Sequence, residues 1–286
     1  MANTINLSVN TNMIDAILKN ALEEDMGTGD ITTLTTIPGD AVACGKYISK
    51  ESGIICGIGI VKRVFDLLGE NFEFVSYKND GDFVEKGEII AEVKGNAVVV
   101  LTGERTGLNL MQRLSGIATA TDKAVRSVEG TNAKICDTRK TTPGLRVLEK
   151  YAVRCGGGTN HRFNLADGIL IKDNHIVASG SITNAVRSAR MNAPHTLKIE
   201  VEVETFEQLN EALAAGADII MLDNMSNDDM SKAVSIIAGR ALVEASGNMG
   251  ERDLRAVAET GVDLISIGAL THSVKSLDIS LKFKLI

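Results

Sequence analysis

The 286 residues include no tryptophan, and aromatic residues make up only 3% of the chain. Proteins that bind single-stranded nucleic acid stack its bases on aromatic side chains, so this composition argues against that function. No apolar stretch is long enough to span a bilayer, and the N-terminus lacks the basic and apolar segments of a secretory signal. The four cysteines show no Cys-x-x-Cys spacing, which indicates reduced thiols in a cytosolic protein.

The chain is acidic, with a formal net charge of −7, which makes it a poor general binder of nucleic acid or of anionic membranes. One segment departs from this balance. Residues 139–172 contain seven Lys and Arg against two acidic residues, a net charge of +5. A basic segment in an acidic protein indicates a local site for an anion.

Two patterns of apolar residues divide the chain. The first part begins with a predicted helix at residues 11–24 and continues with short strand-like runs, which is typical of a compact α+β unit. A segment around Gly116 then predicts one or two helices, with that glycine as the candidate break. The later part alternates amphipathic segments with the apolar runs AKICD, GILIK, LKIEVEVE, ADIIMLD, ALVEAS and VDLISIG. Strand–helix–strand units have this rhythm, so we predict an α/β fold with a parallel sheet.

Polar or glycine residues recur at the C-terminal ends of these six runs: Asp137, Lys172, Glu202, Asp223, Ser246 and Gly268. In an α/β barrel the catalytic groups come from the ends of several strands. An open doubly wound sheet instead concentrates its site at one switch point. The pattern therefore favours a barrel, although one with fewer strands than a full (β/α)8 barrel.

The basic segment contains three groups of candidate anion ligands. Arg139 and Lys140 follow a strand directly and precede a helix. His161 and Arg162 follow a run of three glycines, and the planar fork of an Arg fits a carboxylate with two hydrogen bonds. Lys172 ends an apolar strand, where a lysine can form a Schiff base or neutralise a phosphate or carboxylate. The neighbouring cations slightly favour charge neutralisation.

Acidic residues cluster in the next strand. In KIEVEVE, Glu200, Glu202 and Glu204 share one face and two valines share the other. Asp223 ends the following strand. Like charges inside a barrel are costly unless cations or a metal compensate. A hard divalent ion such as Mg2+, with waters and a phosphate, would fit this arrangement, and we also expect at least one glutamate to pair with the basic segment.

Glycine-containing loops follow the last two predicted strands. They are ASGNM at residues 245–249 and SIGAL at residues 266–270. Barrels often bind phosphate through backbone N–H groups at this position. We therefore predict a phosphate site in these two loops.

Several of these segments resemble quinolinate phosphoribosyltransferases, the decarboxylating enzymes of NAD biosynthesis. The matching segments are EEDMGTGDITT, GERTGLNLMQRLSGIAT, DTRKTTPGLRVLEKYAVRCGGGTNHRFNLADGILIKDNHI, VEVE, DIIMLDNM, EASGN and GVDLISIGALTHSV, which together cover nearly the whole chain. The resemblance implies an N-terminal α/β sandwich domain at residues 1–115, rejoined by 272–286. It implies an open α/β barrel of six or seven parallel strands at residues 116–271.

The resemblance also implies the ligands and the roles of individual residues. The substrates would be quinolinate and 5-phosphoribosyl 1-pyrophosphate, with Mg2+ as cofactor, in a cytoplasmic homodimer whose Arg105 reaches into the partner's site. The quinolinate carboxylates would be bound by Arg139, His161, Arg162 and Lys172. The candidate catalytic residues are Lys140, Lys172, Glu202 and Asp223, of which Glu202 and Asp223 are the candidate metal ligands, directly or through water. The 5-phosphate would lie on Ser246, Gly247, Asn248 and Gly268, and the substrate site would include Thr138, Ile267 and Ala269.

Three other functions stay open at this point. The chain could be a related phosphoribosyltransferase that acts on nicotinate, or a divergent relative with another role, but the single carboxylate of nicotinate would not need so many cations. A Schiff-base aldolase could use Lys172. A non-catalytic sensor of phosphorylated metabolites would need an output module, and the sequence contains no basic recognition helix and no spare domain.

Overall fold

The computed structural model describes residues 11–286. Within that range, no helix combines the length and the apolar character that crossing a membrane would require. The described residues form two compact units, the first from residues 11–122, 142–157 and 273–286 and the second from residues 123–141 and 158–272. These units group residues by spatial proximity, so the domain limits predicted from the sequence stay predictions.

Helices and strands occur in both units. The helices are α1 (Thr11–Met26), α2 (Ile31–Thr36), α3 (Ile58–Leu68), α4 (Ala97–Ser127), α5 (Arg146–Cys155), α6 (Asp173–Ser179), α7 (Ile182–Asn192), α8 (Phe206–Ala215), α9 (Asn227–Ile237), α10 (Leu254–Ala258) and α11 (Ala269–His272). The strands are β1 (Val42–Ser49), β2 (Gly53–Ile54), β3 (Phe72–Ser76), β4 (Phe83–Val84), β5 (Ile89–Asn96), β6 (Lys134–Cys136), β7 (Ile169–Ile171), β8 (Ile199–Val203), β9 (Ile219–Asp223), β10 (Leu242–Ser246), β11 (Leu264–Ser266) and β12 (Ile279–Leu285).

The first unit is built on an antiparallel sheet with the strand order β12, β1, β5 and β3. The C-terminal strand β12 pairs with β1, from Ala43 opposite Leu285 to Ser49 opposite Ile279. The end of the chain therefore completes the sheet formed by its N-terminal part. The sheet packs against α3 and α4 through an apolar core that includes Tyr47.

Helix α4 runs through Gly116 without a break, so of the one or two helices predicted for this segment the structure has one. A Cβ atom on Gly116 would lie 2.3 Å from the carbonyl oxygen of Lys275. The glycine is required because another stretch of main chain passes against the helix. Helix α2 is not predicted from the sequence. It begins after Asp30, whose carboxylate accepts the backbone N–H of Thr33 at 3.0 Å. An N-cap of this kind stabilises a short helix.

The second unit contains the six parallel strands predicted from the sequence, in the order β6, β11, β10, β9, β8 and β7. The helices predicted between them are present as α7, α8, α9 and the shorter α10. Among the described strands, β6 and β7 are the two edges and do not pair with each other. Side chains from both edges nevertheless line one cavity of about 740 Å³ together with residues of β8 to β11. The sheet therefore curls into a barrel that stays open between its first two strands.

Alternation along the strands decides which side chains face this interior. On β8, Val201 and Val203 are fully buried on the outer, helix-covered face, and Glu200 and Glu202 point inward. The pairing of β9 with β10 places Asp223 opposite Ser246. Glu202, Asp223 and Ser246 therefore lie near the carboxyl ends of three neighbouring strands.

Candidate active site

Lys172 and Glu202 form an ion pair at the carboxyl ends of β7 and β8. The Lys172 Nζ contacts the Glu202 Oε2, and 41% of the lysine side chain is exposed against 15% of the glutamate. The expected pairing of one interior glutamate with the basic segment is therefore present. Schiff-base lysines act as neutral amines, typically in apolar pockets. A lysine set against a carboxylate fits charge neutralisation better, as the sequence favours.

The loops after β9 and β10 meet at a point where the backbone adopts left-handed conformations. Asn224 and Asn248 have φ angles of 54° and 49°, and Gly247 has a φ of 94°. A Cβ on Gly247 would lie 2.2 Å from the Asn224 Oδ1, so only glycine fits there. The Asn224 amide donates to the Asp223 carboxylate at 2.7 Å. The predicted phosphate loop is therefore held directly beside Asp223, a predicted metal ligand.

Lys140 lies against the loop that follows β11. A Cβ on Gly268 would lie 2.9 Å from the Lys140 Cδ, so the lysine stem crosses this glycine. The Lys140 carbonyl accepts the Thr271 hydroxyl at 2.7 Å, and the Lys140 N–H donates to the Thr138 hydroxyl at 3.0 Å. These contacts bring the cation that follows β6 to the second predicted phosphate loop.

The residues on either side of Gly268 are Ile267 and Ala269. The Ile267 side chain is buried, and the backbone N–H of Ile267 donates to the Cys136 carbonyl of β6 at 2.9 Å. Ala269 begins α11. The predicted contacts of these two residues with a substrate stay predictions.

Arg139 and Arg162 lie close enough to repel each other. The pKa of Arg162 is lowered, first by burial and then by the charge of Arg139, and the carboxylate of Glu200 opposes this shift. The Arg162 Nη1 donates to the Gly168 carbonyl at 3.0 Å. A guanidinium has five N–H donors, so the others can address an anion. The two guanidinium groups therefore lie within electrostatic range of each other and of the Glu200 carboxylate.

His161 is held by three buried acids. Its backbone N–H donates to the Asp137 Oδ1 at 2.9 Å. Its ring Nε2 lies 3.2 Å from the Glu200 Oε2 and 3.6 Å from the Glu244 Oε1. Burial and the repulsion of Glu200 raise the pKa of Glu244 to about 7. The sequence predicts Glu200 inside the barrel but not Glu244, whose only signal is a single acid within the apolar run ALVEAS.

The 740 Å³ cavity lies beneath this site. His161, Arg162, Glu200 and Glu244 line it, and Lys172, Glu202 and Asp223 do not. Lys172, Glu202 and Asp223 lie instead at the carboxyl ends of β7, β8 and β9, where barrel enzymes place their chemistry. We therefore assign the candidate active site to the strand ends and regard the cavity as the interior that supports it.

Arg105 and the candidate metal ligands complete the predicted set. Arg105 is an exposed residue of α4 in the first unit, and its role stays a prediction. Glu202 and Asp223 offer the hard oxygen ligands that Mg2+ prefers, and each is only partly buried. These two residues fit a Mg2+ ion that keeps several waters or substrate oxygens.

Comparison with known proteins identifies the family. Residues 30–115 match the family model described as quinolinate phosphoribosyl transferase, N-terminal domain, and residues 117–282 match that of its C-terminal domain. The chain belongs to the quinolinate phosphoribosyl transferase family. The resemblance of the sequence motifs to this family is thereby confirmed.

Members of the family align with the chain over nearly its full length. A probable nicotinate-nucleotide pyrophosphorylase (carboxylating) from Bacillus subtilis (strain 168) is 54% identical over 265 residues, which cover 93% of this chain and 91% of that protein. A nicotinate-nucleotide pyrophosphorylase (carboxylating) from Mycobacterium leprae (strain TN) is 46% identical and covers 92% and 95% of the two chains. The structure of the nicotinate-nucleotide pyrophosphorylase from Francisella tularensis superposes with a TM-score of 0.92 at 42% identity, covering 96% of both chains. The predicted fold class is confirmed with six barrel strands.

Proposed function

We propose that this chain transfers the phosphoribosyl group of 5-phosphoribosyl 1-pyrophosphate to the ring nitrogen of quinolinate. The products are nicotinate mononucleotide, pyrophosphate and carbon dioxide, as a step of NAD biosynthesis. Family membership supports this assignment, since relatives carry the names quinolinate phosphoribosyltransferase (decarboxylating) and nicotinate-nucleotide pyrophosphorylase. The observation that carries it is the cluster at the carboxyl ends of the barrel strands, where Lys172 pairs with Glu202 and the Gly247 loop lies beside Asp223.

The two guanidinium groups and Lys172 are suited to a dicarboxylate. Quinolinate has two negative charges, and each guanidinium can bind one carboxylate with two parallel hydrogen bonds. Two like charges that repel each other destabilise the empty site, and a dianion that binds between them relieves this repulsion. Nicotinate, with one carboxylate, would leave part of this positive charge uncompensated.

The second substrate would occupy the neighbouring strand ends. The loop at Gly247 and the loop at Gly268, crossed by Lys140, would bind the phosphate groups. Mg2+, held by Glu202 and Asp223, would neutralise the charge of the departing pyrophosphate when bound. The inward carboxylates also favour a ribose that becomes positive as the pyrophosphate leaves.

The reaction itself needs no general base. The pyridine nitrogen has a free lone pair, so it attacks the anomeric carbon without losing a proton. The ring nitrogen becomes positive on attack, and loss of carbon dioxide from the adjacent carbon leaves a carbanion that this charge stabilises. The carbanion then takes up a proton from water to give nicotinate mononucleotide. The contribution of the chain is to position both substrates and to match their charges.

The proposal includes a cytoplasmic homodimer. Four free cysteines are consistent with a reducing compartment. We call Arg139, Arg162 and Lys172, which would bind the dicarboxylate, the acid-binding centre. Arg105, exposed on α4, would enter the site of the partner subunit and add a cation to this centre.

The decisive assay measures carbon dioxide released from quinolinate labelled in its 2-carboxylate. We expect release that depends on both 5-phosphoribosyl 1-pyrophosphate and Mg2+, with stoichiometric nicotinate mononucleotide. Nicotinate as the acceptor substrate should give little product. Absence of transfer to quinolinate, or preferred transfer to nicotinate, would refute the proposed function. Borohydride trapping with sugar phosphates should give no adduct at Lys172.

A further inference from the structure

Glu200 is a buried acid to which the mechanism above gives no role. It lies on β8 with 4% of its surface exposed, one inward position before Glu202. Its Oε2 is 3.2 Å from the Nε2 of His161, and its Oε1 has no hydrogen-bond partner in the described part of the chain. A buried carboxylate is costly unless a nearby group compensates it. The position of His161 shows which group that is.

Both ring nitrogens of His161 are engaged within the protein. The Nδ1 accepts the backbone N–H of Arg162 at 2.7 Å, so that nitrogen carries no proton. The proton of the neutral ring is therefore on Nε2, which lies within hydrogen-bonding distance of Glu200. The ring thus links an acid on β8 to the main chain of Arg162.

The same loop is fixed at a second point by Asp137, which directly follows β6. Asp137 is fully buried, and its two oxygens accept the backbone N–H of His161 at 2.9 Å and the side-chain amide of Asn160 at 2.6 Å. The loop is therefore held by Asp137 after β6 and by Glu200 on β8, and Arg162 follows directly. With its Nη1 on the Gly168 carbonyl, the guanidinium of Arg162 is aimed by the main chain that these acids hold.

We propose that Glu200 is a positioning residue of the acid-binding centre, which acts through the Nε2–H tautomer of His161 to hold Arg162 in place. This inference rests on the proposed function, because it assigns Arg162 to the quinolinate carboxylates. His161 contributes through Arg162 and remains a neutral ring when the acid binds.

A metal ion is a weaker explanation of the same cluster. His161, Glu200 and Glu244 offer ligand atoms within 4.8 Å of one another. However, Arg162 and Glu200 interact electrostatically, and Arg139 is near enough to lower the pKa of Arg162. A divalent cation among these groups would be repelled by both guanidiniums.

The kinetic test compares Glu200→Leu with the conservative Glu200→Gln, whose amide oxygen still accepts the His161 proton. Loss of a buried hydrogen-bond acceptor weakens the site by about ten-fold or more. Glu200→Leu should therefore raise the KM for quinolinate about ten-fold, with the KM for 5-phosphoribosyl 1-pyrophosphate within about two-fold of its original value. Glu200→Gln should stay within about three-fold for both. An unchanged quinolinate KM in Glu200→Leu, or equal damage in both variants, would overturn the proposal.

Asp218→Leu is the matched control for general damage to β8. The Asp218 Oδ2 accepts the N–H of Ile199 at 2.7 Å at the start of the same strand and forms an ion pair with Arg190 at 2.9 Å. This variant should lose stability while keeping both KM values. If it raised the quinolinate KM as Glu200→Leu does, the effect would be structural and the proposal would fail.

A spectroscopic test needs no change to the acids. Long-range 1H–15N spectra of the histidine-labelled enzyme, with His161 assigned by its loss in His161→Asn, should show a protonated Nε2 and an unprotonated Nδ1. Addition of quinolinate should leave this tautomer in place. A doubly protonated ring, an Nδ1–H tautomer or a metal-bound Nε2 would overturn the proposal. Absence of turnover by the unaltered enzyme would refute the proposed function instead, and the tautomer would still be measurable.

Discussion

Replacing Glu244 with glutamine should change the free energy of unfolding in a pH-dependent way. The variant should gain more stability over the unaltered chain at pH 8 than at pH 5. Glu244 is 1% exposed, and burial followed by the charge of Glu200 raises its pKa from 4.5 to about 7. The unfolded chain ionises near the lower value, so the native state binds the extra proton between these pH values. The stability contributed by that proton is present in acid and is lost as the pH rises to about 7.

The size of the effect follows from the shift in pKa. One pKa unit corresponds to about 1.4 kcal/mol. The ionisation of Glu244 therefore destabilises the native protein by about 2 to 3 kcal/mol more at pH 8 than at pH 5. Glutamine has nearly the same shape and never carries the charge. Both Glu244 Oε1 and Glu200 Oε1 lack hydrogen-bond partners in the described part of the chain, and an amide at position 244 could donate to its neighbour.

The assay is urea unfolding of both proteins at pH 5 and at pH 8. The stability difference, Glu244→Gln minus the unaltered chain, should be larger at pH 8 by about 2 to 3 kcal/mol. Glu73→Gln, at an exposed position of β3, should show no such pH dependence. Our account of Glu244 would be wrong if the variant were destabilised equally at both pH values.

The other predictions concern the proposed reaction. Arg139→Ala should weaken quinolinate binding by about 1.5 to 3 kcal/mol, the range for hydrogen bonds to charged groups, and calorimetry showing unchanged affinity would remove Arg139 from the site. The Arg105→Ala and Lys172→Ala variants should each be inactive. Mixing the two variants after their dimers have been dissociated should restore activity in part of the sites. No recovery of activity would contradict a site shared between subunits. Gly247→Ala forces an alanine into a left-handed conformation and against Asn224, so it should cost about 1 to 3 kcal/mol in stability and raise the KM for 5-phosphoribosyl 1-pyrophosphate. Gly239→Ala, also left-handed but with nothing within 4 Å of the added Cβ, should leave that KM unchanged.

The barrel could be predicted from the sequence because its signals are local. Each strand is an apolar run of a few residues, and its polar end marks where the loop begins. Lys172 and Glu202 illustrate this: both were assigned to the carboxyl ends of strands, and parallel pairing of β7 with β8 brings such ends together. Their ion pair follows from the topology once the strands are known.

The partners of His161 could not be predicted, because they come from strands far apart in the sequence. Whether Glu244 faces the core helices or the interior depends on the alternation within β10, and one acid in a short apolar run does not fix it. The choice between one helix and two at Gly116 could not be made from the sequence for the same reason. The segment at Lys275 that requires a glycine there is distant in the chain, and the local pattern showed only a possible helix break.

The arrangement of acids behind the cations has a physical reason. A site that binds a dianion must hold several positive groups together when it is empty, and these groups repel one another. Glu202 lies against Lys172, and Glu200, one inward position earlier on β8, offsets the repulsion that Arg139 imposes on Arg162. The acids of the barrel interior therefore stabilise the empty site, and because they lie on strands, they do so at fixed positions. An apolar interior would leave the same cations to move apart, and the site would have to be reassembled each time the acid bound.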